Sequence, residues 1–309
     1  MKLLPENLKF DFLGKRYIAA VLSVILIIVS LSSLGVRGLN FGIDFTGGVL
    51  IEVGYPEAAE LPAVRAALEG AGFDDLVVQH FGTLRDVLIR LAPSEEESSA
   101  DLSTRVLTAL QAQDPGIEMR RVEFVGPQVG DELTEKGGLA MIYALIGILI
   151  YVAFRFQWKF ALGSVAALAH DVIITLGLFS LLYLPFDLTV LAALLAVIGY
   201  SLNDTIVVFD RIRENFLRIR KGTPIDVMNA SINQTLARTL MTSLTTLLVL
   251  IALFTLGGEV IHGFATALII GVIVGTYSSV FVASASALGL GVSREDLLPP
   301  SLDEDEQKA

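Results

Sequence analysis

Three ionisable side chains occur within stretches of the sequence that are otherwise apolar. Asp171 and Asp204 are each the single acid of their stretch, and Arg238 lies near the start of another. A charged side chain in the hydrocarbon core of a bilayer costs about 2.5 kcal/mol or more, so these residues are candidates for function. Burial favours the neutral form of a carboxyl group, whereas a nearby guanidinium favours the carboxylate. An acid that loses and regains an arginine partner can therefore take up and release a proton.

The positions of Asp204 and Arg238 would allow the two side chains to pair. At a rise of about 1.5 Å per residue, Asp204 lies in the second half of its span and Arg238 near the start of the next, antiparallel span, so both reach similar depths. Asp171 lies near the middle of the membrane, with His170 beside it. Two interpretations stay open: a proton relay that comprises Asp204, Arg238 and Asp171, or a static ion pair that fixes the register of two helices.

Hydroxyl and amide side chains accompany these charges. They are Ser201 and Asn203 beside Asp204, and Thr239, Thr242, Ser243, Thr245 and Thr246 after Arg238. Such a stripe indicates either a hydrated path or hydrogen bonds between helices. The predicted supporting residues of the relay are Asn203, Ser201, Thr239 and Thr242.

Six apolar stretches carry these residues, and each is long enough for a spanning helix of roughly 20 residues. They cover residues 17–36, 137–154, 160–186, 188–209, 236–258 and 263–293. The first exceeds the apolar core of a signal peptide, which is about 7–15 residues long, so we expect it to be retained. The fold class is therefore a membrane protein of six transmembrane helices.

Basic residues set the predicted orientation. Lys and Arg are frequent in segment 1–16, in the turn at 155–159 and in the loop at 211–221, whereas the alternate turns have none. The basic segments therefore face the cytoplasm, together with both termini. The predicted organisation is a cytoplasmic segment 1–16, helix one at 17–36, an outer domain at 37–136, helices two to six at 137–293, and an acidic cytoplasmic tail at 294–309.

The outer domain has a readable order of elements. The pattern predicts strands at 48–54, 76–81, 86–91 and 118–125, and helices at 60–71 and 101–111. The order β-α-β-β-α-β is the split βαβ arrangement, so we predict one α+β, ferredoxin-like domain inserted after helix one.

Glycines mark two further features. The segment FGIDFTGG at 41–48 links helix one to the domain, and Gly47 and Gly48 permit tight turns there. We expect Asp44, Gly47 and Gly48 to form a rigid connector. In the last span, Gly271 and Gly275 precede further small residues, which predicts a close-packed seam within the chain or with a partner.

Composition excludes several classes of function. The chain has no cysteine, and its three histidines show no metal-ligand spacing, so we expect no metal and no cofactor. Its net charge of −11 argues against nucleic acid as a partner. No Walker A or G-x-S-x-G motif is present, so we expect a transport protein and not an ATPase or a hydrolase.

Five segments together resemble SecF-type members of the SecD/SecF family of protein-export membrane proteins, in the RND superfamily. They are FGIDFTGG (41–48), VEFVGPQVG (122–130), ALAHDVIITLG (167–177), VIGYSLNDTIVVFDRIREN (197–215) and ARTLMTSLTTL (237–247). They occur in the family's order along nearly the whole chain.

This resemblance implies half of an RND-type pseudo-symmetric bundle in the bacterial inner membrane, with a periplasmic domain after helix one. It implies a heterodimer with SecD, association with the SecYEG channel, YajC and YidC, and contact with unfolded precursor proteins and membrane lipid. The proton-motive force would then drive late steps of export. The family's proton-conducting residues fall on Asp204 and Arg238, and the rest of the relay on SecD.

Two rival functions stay open at this point. An RND-type proton-coupled exporter of lipids or small molecules would share the topology and the membrane charges, although such exporters usually carry two halves and larger outer domains. A scaffold of the translocon would carry no protons. Sodium in place of the proton is also open, because a lone Asp serves either ion.

Overall fold

The computed structural model describes residues 9–73, 76–93 and 98–297. In chain order its elements are α1 (Arg16–Arg37), β1 (Asn40–Phe41), α2 (Ile43–Thr46), β2 (Gly48–Gly54), α3 (Leu61–Gly70), β3 (Leu76–Phe81), β4 (Thr83–Leu91), α4 (Ser99–Gln111), β5 (Glu118–Val125), α5 (Pro127–Arg155), α6 (Trp158–Leu181), β6 (Pro185–Phe186), α7 (Leu188–Arg218), α8 (Pro224–Leu256), α9 (His262–Ser278) and α10 (Ser284–Gly289). A π-helical turn, Ser279–Ala283, joins α9 to α10. The predicted acidic tail lies largely outside the described residues.

Within the described part of the chain, six helical segments are long and apolar enough to cross a membrane, which confirms the predicted number. Several extend beyond the predicted spans. α7 continues through the expected loop to Arg218, because Ile212 and Phe216 keep an apolar face buried in the bundle. α8 begins at Pro224, where Thr223 and Asp226 form a capping box that satisfies free backbone N–H groups of the first turn.

Helices α6, α7 and α9 form the centre of the bundle. They carry most of its buried side chains, whereas α1, α5 and α8 expose long apolar faces such as Ile25, Ile146 and Leu248. α1 runs parallel to α6: Ser30 lies against Gly177, and Ser33 hydrogen-bonds Ser180 at 2.9 Å. Small residues on α6 allow this close approach.

Residues 48–125 form a four-stranded antiparallel sheet with two helices. The strand order is β3-β4-β2-β5, and the strands and helices follow one another as β-α-β-β-α-β. Three strands have the predicted bounds, whereas β4 begins three residues earlier than predicted, at Thr83. The core lies between the sheet and the helices, with Ile51, Ile89, Leu68 and Val106 among its buried members.

A second, two-stranded sheet joins the domain to the bundle. β1 pairs in parallel with β6, so the segment after α1 lies on the turn between α6 and α7. The backbone N–H of Gly42 donates to the carbonyl of Phe186 at 2.8 Å. Because both strands have only two residues, the aromatic rings of Phe41, Phe45 and Phe186 supply much of the packing here.

Candidate functional site

The carboxyl group of Asp171 is the centre of a buried polar cluster in the bundle. Its Oδ2 accepts hydrogen bonds from Ser201 Oγ on α7 at 2.6 Å and from Ser278 Oγ on α9 at 2.7 Å. Its Oδ1 lies 2.9 Å from Nδ1 of His170. Asp171 and His170 are 1% and 3% exposed, so the cluster is closed to solvent. The acid predicted from the sequence is thus held by three polar neighbours, which lie on α6, α7 and α9.

The seam between α7 and α9 positions these donors. A Cβ atom on Gly275 would lie 3.0 Å from Cβ of Ser201 and 3.5 Å from Oδ2 of Asp171. Gly271, one turn earlier, faces Val197 so closely that a Cβ atom there would overlap its side chain. The predicted glycine seam therefore lies within the chain. It brings α9 near enough for Ser278 to reach the carboxyl group of α6.

Hydrogen bonds continue from His170 towards α1. Nε2 of His170 lies 3.2 Å from Oγ of Ser23, and Ser23 Oγ lies 3.0 Å from the hydroxyl of Tyr277. The Tyr277 hydroxyl donates to the carbonyl of Ala19 at 2.8 Å. The rings of His170 and Tyr277 stack with their centroids 6.0 Å apart. Four side chains on α1, α6 and α9 thus form one continuous chain of polar contacts.

Asp204 has very different surroundings. It is 3% exposed, and its carboxyl group faces Arg238, Thr242 and Ser243 on α8. Among the described residues, however, its Oδ2 is buried without a well-oriented hydrogen bond. A buried carboxyl oxygen without a donor is uncommon in proteins, and it usually indicates a bound water, a partner or a functional role. The hydroxyl groups of Thr242 and Ser243 are the nearest donors to this carboxyl group.

The predicted ion pair between Asp204 and Arg238 is not formed. Among the described residues, no ion pair within 4.0 Å joins the two side chains. Arg238 is exposed, and it lines a cavity of about 240 Å³ with Asp210, Glu214 and Arg155. Similar depth on neighbouring helices therefore places the two charges near each other without a direct contact.

The predicted supporting residues divide into separate groups. Ser201 donates to Asp171 and not to its sequence neighbour Asp204. Asn203 is exposed on the outside of α7. Thr239 is buried, and its hydroxyl has no partner within the described structure. The hydroxyl of Thr242 donates to the backbone carbonyls of Arg238 and Thr239 on the same helix, α8.

The connector residues lie at the N-terminal end of α7. Oδ2 of Asp44 accepts a hydrogen bond from the backbone N–H of Leu188, the first residue of α7, at 2.9 Å. Gly47 and Gly48 have φ angles of +67° and +118°, which favour glycine. A Cβ atom on Gly47 would lie 2.9 Å from Cα of Pro127. The connector thus contacts the beginnings of both α5 and α7.

Arg90 of β4 joins the sheet domain to this connector. Its guanidinium donates to the carbonyl of Phe41 and, at 3.2 Å, to Oδ1 of Asn40. Burial lowers the pKa of Arg90 from its ordinary value, although a guanidinium stays protonated at physiological pH. The sequence offered no signal for this contact, because nothing in the sequence distinguishes Arg90 from a solvent-exposed arginine on a strand.

Four members of the Asp171 cluster were missed in the sequence: His170 as a partner, Ser23, Tyr277 and Ser278. The signal that favours them is the occurrence of polar side chains at the small-residue faces of α1 and α9. It did not identify them, because isolated serines are common in transmembrane helices. Within the described residues, no group of three or more His, Asp or Glu side chains could hold a metal ion.

Two family descriptions match the chain. "Protein export membrane protein SecD/SecF, C-terminal" matches residues 105–293, and "SecD/SecF GG Motif" matches residues 32–55. The chain belongs to the SecD/SecF family. The GG motif of the family covers the connector with Gly47 and Gly48, and the longer match covers every residue of the cluster that lies on α6, α7 and α9.

Several curated relatives of this SecD/SecF chain are named Protein translocase subunit SecF. The protein of Vibrio alginolyticus is 54% identical over 305 residues, which cover 98% of this chain and 97% of the relative. That of Pseudomonas aeruginosa is 52% identical over 292 residues, 94% of each chain. That of Escherichia coli O157:H7 is 48% identical over 298 residues, 96% of this chain and 92% of the relative.

Solved structures of SecDF share the fold of this SecD/SecF chain. SecDF from Thermus thermophilus, described as a translocon-associated membrane protein, matches 93% of the chain with a TM-score of 0.85 and 39% identity. SecDF in a super-membrane-facing form matches 100% with a TM-score of 0.70 and 39% identity. The chain spans only 39% and 41% of those SecDF chains. It is a helical membrane protein with the function of a Sec protein translocase subunit.

Proposed function

We propose that this chain works with a SecD subunit and uses the proton-motive force to promote late steps of precursor export through the SecYEG channel. One observation carries the proposal: Asp204 is buried in a transmembrane helix, and its Oδ2 lacks a hydrogen bond among the described residues. A buried carboxylate without donors is costly, whereas its protonated form is not. Asp204 is therefore suited to binding and releasing a proton.

The exposure of Arg238 supports the idea that a partner subunit covers this face of α8. It is an exposed guanidinium beside Leu240, Met241 and Leu244, which are exposed apolar residues of the same span. A charge at such a position needs a counter-charge or water. A SecD subunit that covers this face would add its own groups to Asp210 and Glu214, which line the same cavity as Arg238, and would complete the relay between Asp204 and Arg238.

The orientation follows from the charges at one end of the bundle. Arg155, Lys159 and Arg218 lie at the same end as Arg16, so we place this end in the cytoplasm of a bacterium, with both termini. The sheet domain then lies in the periplasm. Its strand order, β3-β4-β2-β5, supports a ferredoxin-like fold, and the six helices support half of an RND-type bundle.

The connector offers a route from the relay to the domain. Protonation of Asp204 weakens its attraction to Arg238, which lets α7 shift relative to α8. The N-terminus of α7 bonds to Asp44, and Arg90 holds the connector to the sheet. A displacement of α7 would therefore move the domain, which holds an unfolded precursor outside the channel. YajC, YidC and membrane lipid are further proposed contacts.

A lipid or drug exporter is less well supported. The sheet domain of 48–125 is small, and its buried residues form a single core beneath its helices. Relatives that cover almost the whole chain are protein translocase subunits. Export of protein is therefore the function that we put to the test.

Replacing Asp204 by Asn tests the proposal. The amide keeps the shape of the side chain but binds no proton, so export that is driven by a proton gradient after ATP is exhausted should fall to background. Asp210→Asn is the matched control, because Asp210 lies on the same helix and forms an exposed ion pair with Arg155 at 3.2 Å. Unchanged export by Asp204→Asn would remove this residue from the mechanism, and Asp171→Asn in parallel shows whether Asp171 belongs to it.

A further inference from the structure

We propose that Asp171 and His170 form a second proton-binding site, and that its proton is retained by a directed hydrogen-bond chain ending at the carbonyl of Ala19. The inference rests on the proposed function and deepens it, because the relay of Asp204 and Arg238 left the role of Asp171 to be tested. It adds His170, Ser23 and Tyr277 as the groups that decide whether a proton stays on this pair. These residues lie on α1, α6 and α9.

The direction of the chain follows from its last member. A carbonyl oxygen can only accept a hydrogen bond. The hydroxyl of Tyr277 therefore donates its single proton to the carbonyl of Ala19, at 2.8 Å. Ser23, 3.0 Å from that hydroxyl, must then be the donor between the two. Ser23 has no second proton, so the contact of 3.2 Å to His170 requires a proton on Nε2. One carbonyl thereby fixes the direction of three hydrogen bonds.

The remaining contact shows that the pair holds a proton. Nδ1 of His170 lies 2.9 Å from Oδ1 of Asp171. With Nε2 protonated, either a neutral imidazole accepts at Nδ1 from a protonated carboxyl group, or an imidazolium donates from Nδ1 to a carboxylate. Both arrangements contain one proton more than neutral histidine beside a carboxylate. In either arrangement the pair carries no net charge, which suits its burial.

The groups around the pair agree with a neutral site. Facing it are hydroxyl groups of Ser201 on α7, of Ser278 on α9 and of Ser23 on α1, and the phenol of Tyr277. Asp204, on α7 beyond Ser201, is the nearest acid along that helix. No Lys or Arg of the described chain forms an ion pair within 4.0 Å of Asp171. A lone carboxylate here would have hydroxyl donors but no counter-charge.

Release of the proton requires the chain to reverse. When the pair has lost its proton, the proton of His170 stays on Nδ1 beside the carboxylate, and Nε2 accepts from Ser23. Ser23 then accepts from Tyr277, whose hydroxyl must leave the carbonyl of Ala19. One proton leaves the pair, and the hydroxyl groups of Ser23 and Tyr277 each change their acceptor. Binding of a proton to the pair is thereby coupled to the contact between α9 and α1.

The chain also leads towards one end of the bundle. Ser23 and Ser33 on α1 contact His170 and Ser180 on α6, each 147 residues ahead. The same offset of 147 residues places Ala19 on α1 beside residue 166 of α6. Residue 166 precedes Asp171 by five residues. Five residues correspond to about 7 Å of helix, in the direction of the basic end of the bundle. Tyr277 is only partly buried, whereas Ser23, His170 and Asp171 are buried.

Nitrogen NMR of histidine tests the inference on the full chain in lipid vesicles. The chain has three histidines, so ¹⁵N-histidine labelling gives few signals, and His170→Gln assigns the relevant one. We expect a protonated Nε2 on His170 at neutral pH. An unprotonated Nε2 on His170 in the unaltered chain overturns the proposal.

Two substitutions test the directing role. Tyr277→Phe frees Ser23 to donate to Nε2, so the histidine proton should move to Nδ1. Ser23→Ala should alter the Nε2 signal, whereas Ser23→Thr keeps a hydroxyl and should restore it. Ser33→Ala is the matched control, because it removes a hydrogen bond between the same two helices and should leave His170 unchanged. A Tyr277→Phe signal identical to that of the unaltered chain contradicts the directing role.

The outcome is separable from that of the proposed function. Loss of export in Asp204→Asn with an unprotonated Nε2 on His170 keeps the relay at Asp204 and rejects the second site. A protonated Nε2 with unchanged export in Asp204→Asn keeps the proton site and rejects the export mechanism.

Discussion

At the scale of single residues, Asp171 and Asp204 show how two buried acids differ. Asp171 has hydrogen-bond partners on both oxygens, from α6, α7 and α9. Asp204 faces hydroxyl groups and a guanidinium of α8, but its Oδ2 has no donor among the described residues. Satisfied polar groups rigidify a core, whereas an unsatisfied one marks a place where water, an ion or a partner acts. This difference is consistent with the proposals above, in which Asp204 exchanges protons and Asp171 retains one.

Gly48 carries a prediction at the same scale. Its φ of +118° is strained for any other residue, and an added Cβ atom would overlap the carbonyl oxygen of Leu91. We expect Gly48→Ala to destabilise the sheet domain by about 1–3 kcal/mol. Thermal unfolding in detergent, with limited proteolysis to localise the loss, measures the effect.

Gly70→Ala is the control for Gly48→Ala. Gly70 ends α3 with no atom within 4 Å of an added Cβ, and its φ is not positive. The alanine should be neutral or slightly stabilising there, because it is the better helix former. Equal unfolding midpoints for the two variants would contradict the importance of the Gly48 conformation.

At the scale of elements, the close approach of α7 and α9 decides the geometry of the cluster. Gly271 and Gly275 present bare backbone to Val197 and Ser201, one turn apart on α7. Without this approach Ser278 would not reach Asp171. The π-helical turn at Ser279–Ala283 follows directly, and such turns often occur at functional sites.

The seam can be tested by a pair of substitutions. Gly271→Ala places a methyl group against the branched side chain of Val197, and overpacking of this kind costs about 1–3 kcal/mol. Adding Val197→Ala makes room, so the double variant should recover most of the loss in thermal stability. Gly199→Ala, with open space around its Cβ position, should change little. Strictly additive effects of the two substitutions would show that the residues do not press on each other.

At the scale of the whole molecule, the bundle buries its polar cluster in α6, α7 and α9 and exposes α1, α5 and α8. The exposed faces are apolar over most of their length, which suits lipid or a second subunit. Gly82 of the β3–β4 turn in the sheet domain touches Glu259 after α8. The domain thus contacts the bundle both through the connector and through this turn.

The proposed orientation yields a prediction for the intact membrane. The chain has no cysteine, so single cysteines at exposed positions report on one side each. With a membrane-impermeant maleimide, Glu69→Cys on α3 should be labelled in spheroplasts, and Lys221→Cys in the loop before α8 only after lysis. Labelling of Lys221→Cys from outside would reverse the topology. The unsubstituted chain, which has no cysteine and is treated with the same maleimide, provides the background.

The sequence by itself determined the local features. The six spans follow from runs of apolar residues, and the bounds of β2, β3 and β5 follow from β-branched patterns between turns. The resemblance to the SecD/SecF family also needed only short motifs. These properties depend on neighbours along the chain, so one sequence suffices for them.

Only the tertiary structure decided which polar groups meet. Asp204 and Arg238 have similar depths but form no ion pair, while Ser278 reaches Asp171 from 107 residues away. Depth along a helix gives one coordinate, whereas contact also depends on the rotation of each helix about its axis and on the distance between axes. The glycine seam and the polar faces of α1 and α9 set those two quantities, and both depend on residues far apart in the chain.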